Sequence, residues 1–91
     1  MTIKYTSNFL NKLEDIFAET DYMLRYEKGK FNSGYCILRD TKIVIVNKYF
    51  PLEGKINSLV DILKMLDLDR SKISDKNRQL LDQINQNQLQ L

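Results

Sequence analysis

The run Ile43-Val44-Ile45-Val46 places four β-branched residues in succession, and Pro51 follows five positions after it. β-Branched side chains lose χ1 freedom in a helix and pack well on a pleated surface, so the run reads as a strand. Proline has no N–H for a ladder but suits the first turn of a helix, so the strand ends before Pro51 and a helix can start there. Upstream, Tyr35-Cys-Ile-Leu38 has the same apolar character, and Arg39-Asp-Thr-Lys42 lies between the two runs. A hairpin turning at Arg39–Lys42 pairs Leu38 with Ile43 and Cys36 with Ile45. Asp-Thr is not the Asn-Gly type favoured in two-residue turns, so a wider loop fits.

This register separates two faces. One carries Cys36, Leu38, Ile43 and Ile45, with no charge among them. The other carries Tyr35, Ile37, Arg39, Lys42, Val44, Val46 and Lys48. The uncharged face is expected to be the core face, and a slip of one residue would exchange the two.

The rest of the chain supplies cover. Thr6 or Ser7 can cap a first helix, in which Phe9, Leu10, Leu13, Ile16 and Phe17 form a one-sided stripe. The helix should end near Glu19 or Thr20. Tyr22–Glu27 alternates as a strand, with Tyr22, Leu24 and Tyr26 on one side and Met23, Arg25 and Glu27 on the other. Lys28–Gly34 connects it to the hairpin and is too long for a tight turn. After Pro51, Leu52, Ile56, Leu59, Leu63 and Leu66 follow helical spacing, and Val60 and Ile62 widen the stripe. Ser74 can cap a last helix, on which Ile73, Leu80, Ile84 and Leu91 lie along one seam interrupted by Asn77 and Asn87.

The expected fold is therefore α+β, in the order α-β-β-β-α-α, with a three-stranded antiparallel meander and two helices on one face. Residues 1–70 form the core domain. Residues 71–91 form a C-terminal helix that either docks on the sheet or serves self-association.

Composition excludes several chemistries. The chain of 91 residues has no histidine and one cysteine, Cys36. This removes the commonest general base and metal ligand, and any Cys-His or Ser-His pair. One cysteine without histidine leaves no zinc site in a monomer. It also allows no internal disulfide, which fits a reducing, cytoplasmic setting. Cys36, between Tyr35 and Ile37, reads as a buried small hydrophobe. Asp67, Asp69 and Ser71 imitate the first ligands of a calcium loop, but Lys72 and Arg78 occupy the positions that require glycine and glutamate. Gly29, Gly34 and Gly54 are dispersed and make no phosphate loop. The expectation is no enzyme, no cofactor and no metal. A net charge of +2 with scattered charges is too mild to imply nucleic acid, and no apolar run approaches a membrane span.

What remains is surface. With Tyr35, Ile37, Val44 and Val46 facing outward, and Met23 beside them if the first strand pairs with the hairpin, an apolar patch is rimmed by Arg25, Arg39, Lys42 and Lys48. Contiguous apolar surface is seldom left in water on a monomer. The last helix can cover it, a second copy can cover it, or a nucleic acid can stack on Tyr35 with phosphates on the basic rim.

The pattern Phe31-x-x-Gly34-Tyr-Cys-x-Leu38, Val44-x-Val46-Asn-Lys48 and Pro51-Leu-Glu53 resembles one found in short uncharacterised bacterial proteins. It spans roughly residues 22–66 and implies no activity. A strand ending in Val-Asn-Lys before a helix is also similar to the core of small zinc metalloproteases. Those carry two histidines and a glutamate on that helix, whereas Glu53–Asp61 here contains no histidine, so that resemblance implies the scaffold without the metal.

The resulting expectation is a small non-enzymatic protein-interaction module that binds protein, itself (as a homodimer) or another. The contact is either the outer sheet face (Tyr35, Ile37, Val44 and Val46 with Arg25, Arg39, Lys42 and Lys48) or the helical seam (Ile73, Leu80, Ile84 and Leu91). The alternative is a weak nucleic-acid binder using the basic rim.

Overall fold

Three helices lie on one side of a three-stranded sheet in the computed structural model, which describes residues 3–28 and 34–87. Helix α1 (Ser7–Ala18) is followed by β1 (Met23–Glu27), β2 (Tyr35–Leu38) and β3 (Ile43–Asn47), then α2 (Leu52–Met65) and α3 (Asp75–Asn87). A short 3₁₀ turn, Arg70–Lys72, precedes α3. The class and element order are those expected from the sequence.

The sheet is mixed, and this corrects the meander. Its strand order is β1-β3-β2, with β3 antiparallel to β2 and parallel to β1. The most apolar strand takes the centre, where its backbone is paired on both sides and both edges are left to less apolar neighbours. The Lys28–Gly34 connection is long enough to step over one strand, and its ends bracket β3. Lys48 N–H donates to Glu27 O at 3.1 Å, and Asn47 N–H donates to Gly34 O at 2.9 Å. The hairpin has the expected register, Leu38 opposite Ile43 and Cys36 opposite Ile45. Its four-residue loop, Arg39–Lys42, closes with Lys42 in the left-handed region at φ 56°.

The two faces are exchanged relative to expectation. Val44 and Val46 are fully buried beneath the helices, with Leu24, Tyr26, Tyr35 and Ile37 partly buried beside them. Cys36, Leu38, Ile43 and Ile45 share the opposite face with Met23, Arg25 and Glu27. The reason lies in which charges count. Arg39 and Lys42 belong to the loop and Lys48 lies past the strand, so their parity says nothing about the paired segment. Within the hairpin both faces are uncharged, and β1 breaks the tie. Its parallel register sets Arg25 against Ile45 and Glu27 against Asn47, which sends that face to solvent.

Helix α1 is capped by Thr6, whose hydroxyl accepts from Phe9 N–H at 3.1 Å, and buries Phe9, Leu13, Ile16 and Phe17. Pro51 is the N-cap residue of α2, and its carbonyl accepts from Lys55 N–H at 3.0 Å. Phe50, just before it, packs between two glycines. A β-carbon at Gly34 would lie 2.1 Å from Phe50 Cζ, and one at Gly54 would lie 3.0 Å from Phe50 Cδ2. Ring contact explains why α2 carries a glycine in its first turn despite a propensity cost of roughly 1 kcal/mol.

Helix α3 docks on α1 and α2, and its Leu81 and Ile84 join Ile73 in the same buried cluster as α1, α2 and β3. Met23 and Leu38 on the outer sheet face stay exposed.

Candidate functional site

Catalytic or metal chemistry needs converging polar groups. Among the described residues no group of three or more His, Cys, Asp or Glu is placed to hold a metal ion. The best-connected polar cluster joins the end of α1 to the start of α3. Glu19 Oε1 accepts from Asn77 Nδ2 at 2.7 Å, from Ser74 N–H at 3.1 Å and from Ser74 Oγ at 3.2 Å. Asn77 Nδ2 also donates to Asp15 Oδ2 at 3.1 Å. These bonds, that from Asn77 first, hold the Glu19 carboxyl below its ordinary range. Asn77 is buried and its side-chain amide nitrogen bonds to two α1-end carboxylates, so its interruption of the apolar seam positions α3 on α1. The cluster is a structural latch.

A second polar contact lies under the sheet. Tyr26 Oη donates to Glu14 Oε2 at 2.5 Å, with the Lys55 ammonium 5.4 Å from the ring centre. Burial first, then the Glu14 carboxylate, push the Tyr26 phenol well above its usual range. A raised phenol pKa keeps the proton on the oxygen, so the group is a weak acid and offers no phenolate near neutral pH. Asp69, the first acid of the calcium-loop imitation to make a local bond, accepts from Ser71 N–H at 3.1 Å and Oγ at 2.6 Å, capping the 3₁₀ turn.

The open face of the sheet has a different character. Its first row across the strands is Met23, Ile43 and Leu38, all apolar, and its second is Arg25, Ile45 and Cys36. Met23 is 61% exposed and Leu38 41%, while Ile43, Ile45 and Cys36 are half-buried. Arg25 Nε pairs with Glu27 Oε2 at 2.8 Å on the same face. Among the described residues no helix covers them, and together they form a contiguous apolar surface with a paired charge at one end.

The sequence-derived contact residues divide accordingly. Val44 and Val46 are fully buried, and Tyr35 and Ile37 pack against the same core, so these four lie on the helix side and do not form an outer patch. Burial, then the Asp61 carboxylate, raises the Tyr35 phenol. Arg25 sits on the open face. Arg39, Lys42 and Lys48 are exposed around its ends, with Lys42 Nζ 3.9 Å from Asp21 and 5.8 Å from the Tyr22 ring centre. Of the helical seam, Ile73 and Ile84 are buried and Leu80 partly so, all within the chain. Leu91 lies outside the described residues, as does Phe31 of the sequence pattern. Cys36 is half-buried on the open face rather than in the core.

What sequence reasoning missed is the contribution of Leu38, Ile43 and Ile45, whereas Met23 lies on the outward face where the sequence placed it. The alternation of β1 carried the signal, because Arg25 and Glu27 share parity with Met23 and mark that face as the wet one. The open face as described carries no aromatic ring for a base to stack on, since the β1 and β2 tyrosines project toward the helices. No helix is long and apolar enough to cross a membrane among the described residues.

No family model, curated protein or solved structure matches this chain.

Proposed function

We propose that the chain is a small non-enzymatic protein-interaction module that self-associates, with the open sheet face as its contact. The observation that carries this reading is the one-sided layering. Among the described residues every helix lies on one side, and the other side presents Met23, Leu38, Ile43 and Ile45. Apolar surface of this kind gains free energy when a second surface removes it from solvent. Stacking two such sheets, ~10 Å apart, is the way antiparallel sandwiches bury the same kind of face.

The face is small. Three strands of about five residues cover roughly 230 Å² in projection, so each partner contributes less than a standard interface and the association is weak. The three sequence positions that could have made a nucleic-acid rim remain at the periphery, and Arg25 is already paired with Glu27.

Sedimentation of the intact protein over a concentration series tests the reading. Self-association is expected, and Leu38→Glu should weaken it while leaving the circular dichroism spectrum unchanged, because Leu38 is exposed on an edge strand. A monomer at every concentration would overturn the proposal.

A further inference from the structure

The open face is flanked by β1, an edge strand whose outer side has no strand neighbour among the described residues. Met23 N–H donates to Lys42 O at 2.8 Å, and Glu27 O accepts from Lys48 N–H at 3.1 Å. Residues 23, 25 and 27 therefore bond to β3, and the N–H and C=O of Leu24 and Tyr26 point to the open edge. Helix α1 leaves this edge accessible, since an open groove of about 520 Å³ runs beside it, lined by Glu14, Phe17, Ala18, Tyr22, Leu24 and Tyr26.

We infer that a second copy of the chain pairs here, its β1 antiparallel to β1 about a two-fold axis at Tyr26, giving one six-stranded sheet. Three registers orient the free backbone groups toward each other, keep like faces together and overlap the two copies of β1 by at least three residues. Centring the axis on Arg25 sets that guanidinium against its own copy, and centring it on Leu24 sets Glu27 against the second copy's Asp21. Centring it on Tyr26 sets Arg25 against the second copy's Glu27, and Glu27 against the second copy's Arg25. Tyr26 then exchanges both backbone bonds with its counterpart. The Arg25–Glu27 pairs fall at non-hydrogen-bonded positions, where cross-strand side chains approach most closely.

The charge pattern of the strand is thus self-complementary in one register and repulsive in the other two. Charges on an edge strand ordinarily discourage pairing, and here the same charges select a single partner geometry. The β2 edge, Tyr35-Cys-Ile-Leu38, has no charge to choose a register. This pairing goes beyond the stacked-face contact proposed above and uses a different surface. It also sets two open faces side by side, doubling the apolar area presented on one side.

The test is made in the Leu38→Glu background, in which the stacked-face contact is disabled. Sedimentation should still show dimers. Adding Arg25→Glu or Glu27→Arg should weaken them roughly tenfold or more, since each puts two like-charge pairs across the strands. An equimolar mixture of the two charge variants should regain the dimer as a heterodimer. Each variant has lost its internal Arg25–Glu27 pair, so only pairing between chains can produce that recovery. Thermal melts of both variants should match the parent, because an exposed ion pair contributes little to stability. Dimers indifferent to both charge variants, or variants whose mixture stays monomeric, overturn the inference. A monomeric Leu38→Glu parent alongside an associating wild type overturns the edge pairing and leaves the stacked face standing. Equal association of wild type and Leu38→Glu, abolished by the charge variants, does the reverse.

Discussion

Alanine at position 34 would place a β-carbon 2.1 Å from Phe50 Cζ, on a backbone held at φ +85°. Neither problem can be relieved separately. The ring is fixed by Gly54 on its other side, and the positive φ is set by the turn of the chain into β2. Gly34→Ala should therefore cost about 2 kcal/mol or more, combining left-handed backbone strain with overpacking. Urea denaturation would measure it, and a midpoint equal to wild type would mean that the Gly34–Phe50–Gly54 contact is not needed for the fold. The sequence pattern running from Gly34 to Glu53 is explained largely at this scale. Gly34 accommodates Phe50, Val44 and Val46 fill the core, and the Asn47 side chain accepts from Tyr49 N–H at 3.0 Å to shape the turn before Pro51. Those residues build the domain. Its outward surface is made by their neighbours of opposite parity.

At the scale of elements, α3 is held by an apolar seam and by the Glu19–Ser74–Asn77 latch. The latch gives docking a pH dependence with a definite sign. The Glu19 carboxyl is lowered in the folded chain from its ordinary 4.5, chiefly by the bond from Asn77. Near that ordinary value the unfolded state binds more protons, so stability rises with pH. The contribution is complete above the unfolded value and is lost as the pH falls through the folded one. Glu19→Gln should flatten this acid limb, which denaturation midpoints collected between neutral and strongly acidic pH would reveal. Superimposable profiles for the two proteins would assign the acid sensitivity to other carboxylates. The seam was legible in the sequence at Ile73 and Ile84, but Leu81 is buried where Leu80 was expected, and the seam's partner was not legible. A sparse amphipathic helix can bury its stripe against a sheet, against helices or against a second copy, and periodicity is the same in all three cases.

At the scale of the molecule, Ile73, Leu81 and Ile84 share one buried cluster with α1, α2 and β3, so the chain should unfold as one unit. Ile84→Ala removes a side chain that is 1% exposed and should cost about 2–5 kcal/mol. Its effect should reach the sheet. Far-ultraviolet circular dichroism, reporting helix, and tyrosine fluorescence, reporting the sheet tyrosines, should give coincident transitions in both wild type and variant. Separate transitions would show that α3 melts from an otherwise stable core.

The sequence by itself determined the elements, their order and the hairpin register. These rest on short-range physics: β-branched stiffness, the missing N–H of Pro51, helical spacing, and the pairing of Leu38 with Ile43 across a short loop. Only the tertiary structure decided the strand order, the face that is buried and the seat of α3. Each depends on segments distant in the chain. Moving β3 to the centre brings β1 beside it, and β1 then imposes the parity of Arg25 and Glu27 on a hairpin whose own faces are both apolar. The same placement leaves β1 at the edge and, among the described residues, Met23, Leu38, Ile43 and Ile45 uncovered, the surfaces on which the proposed contacts rest.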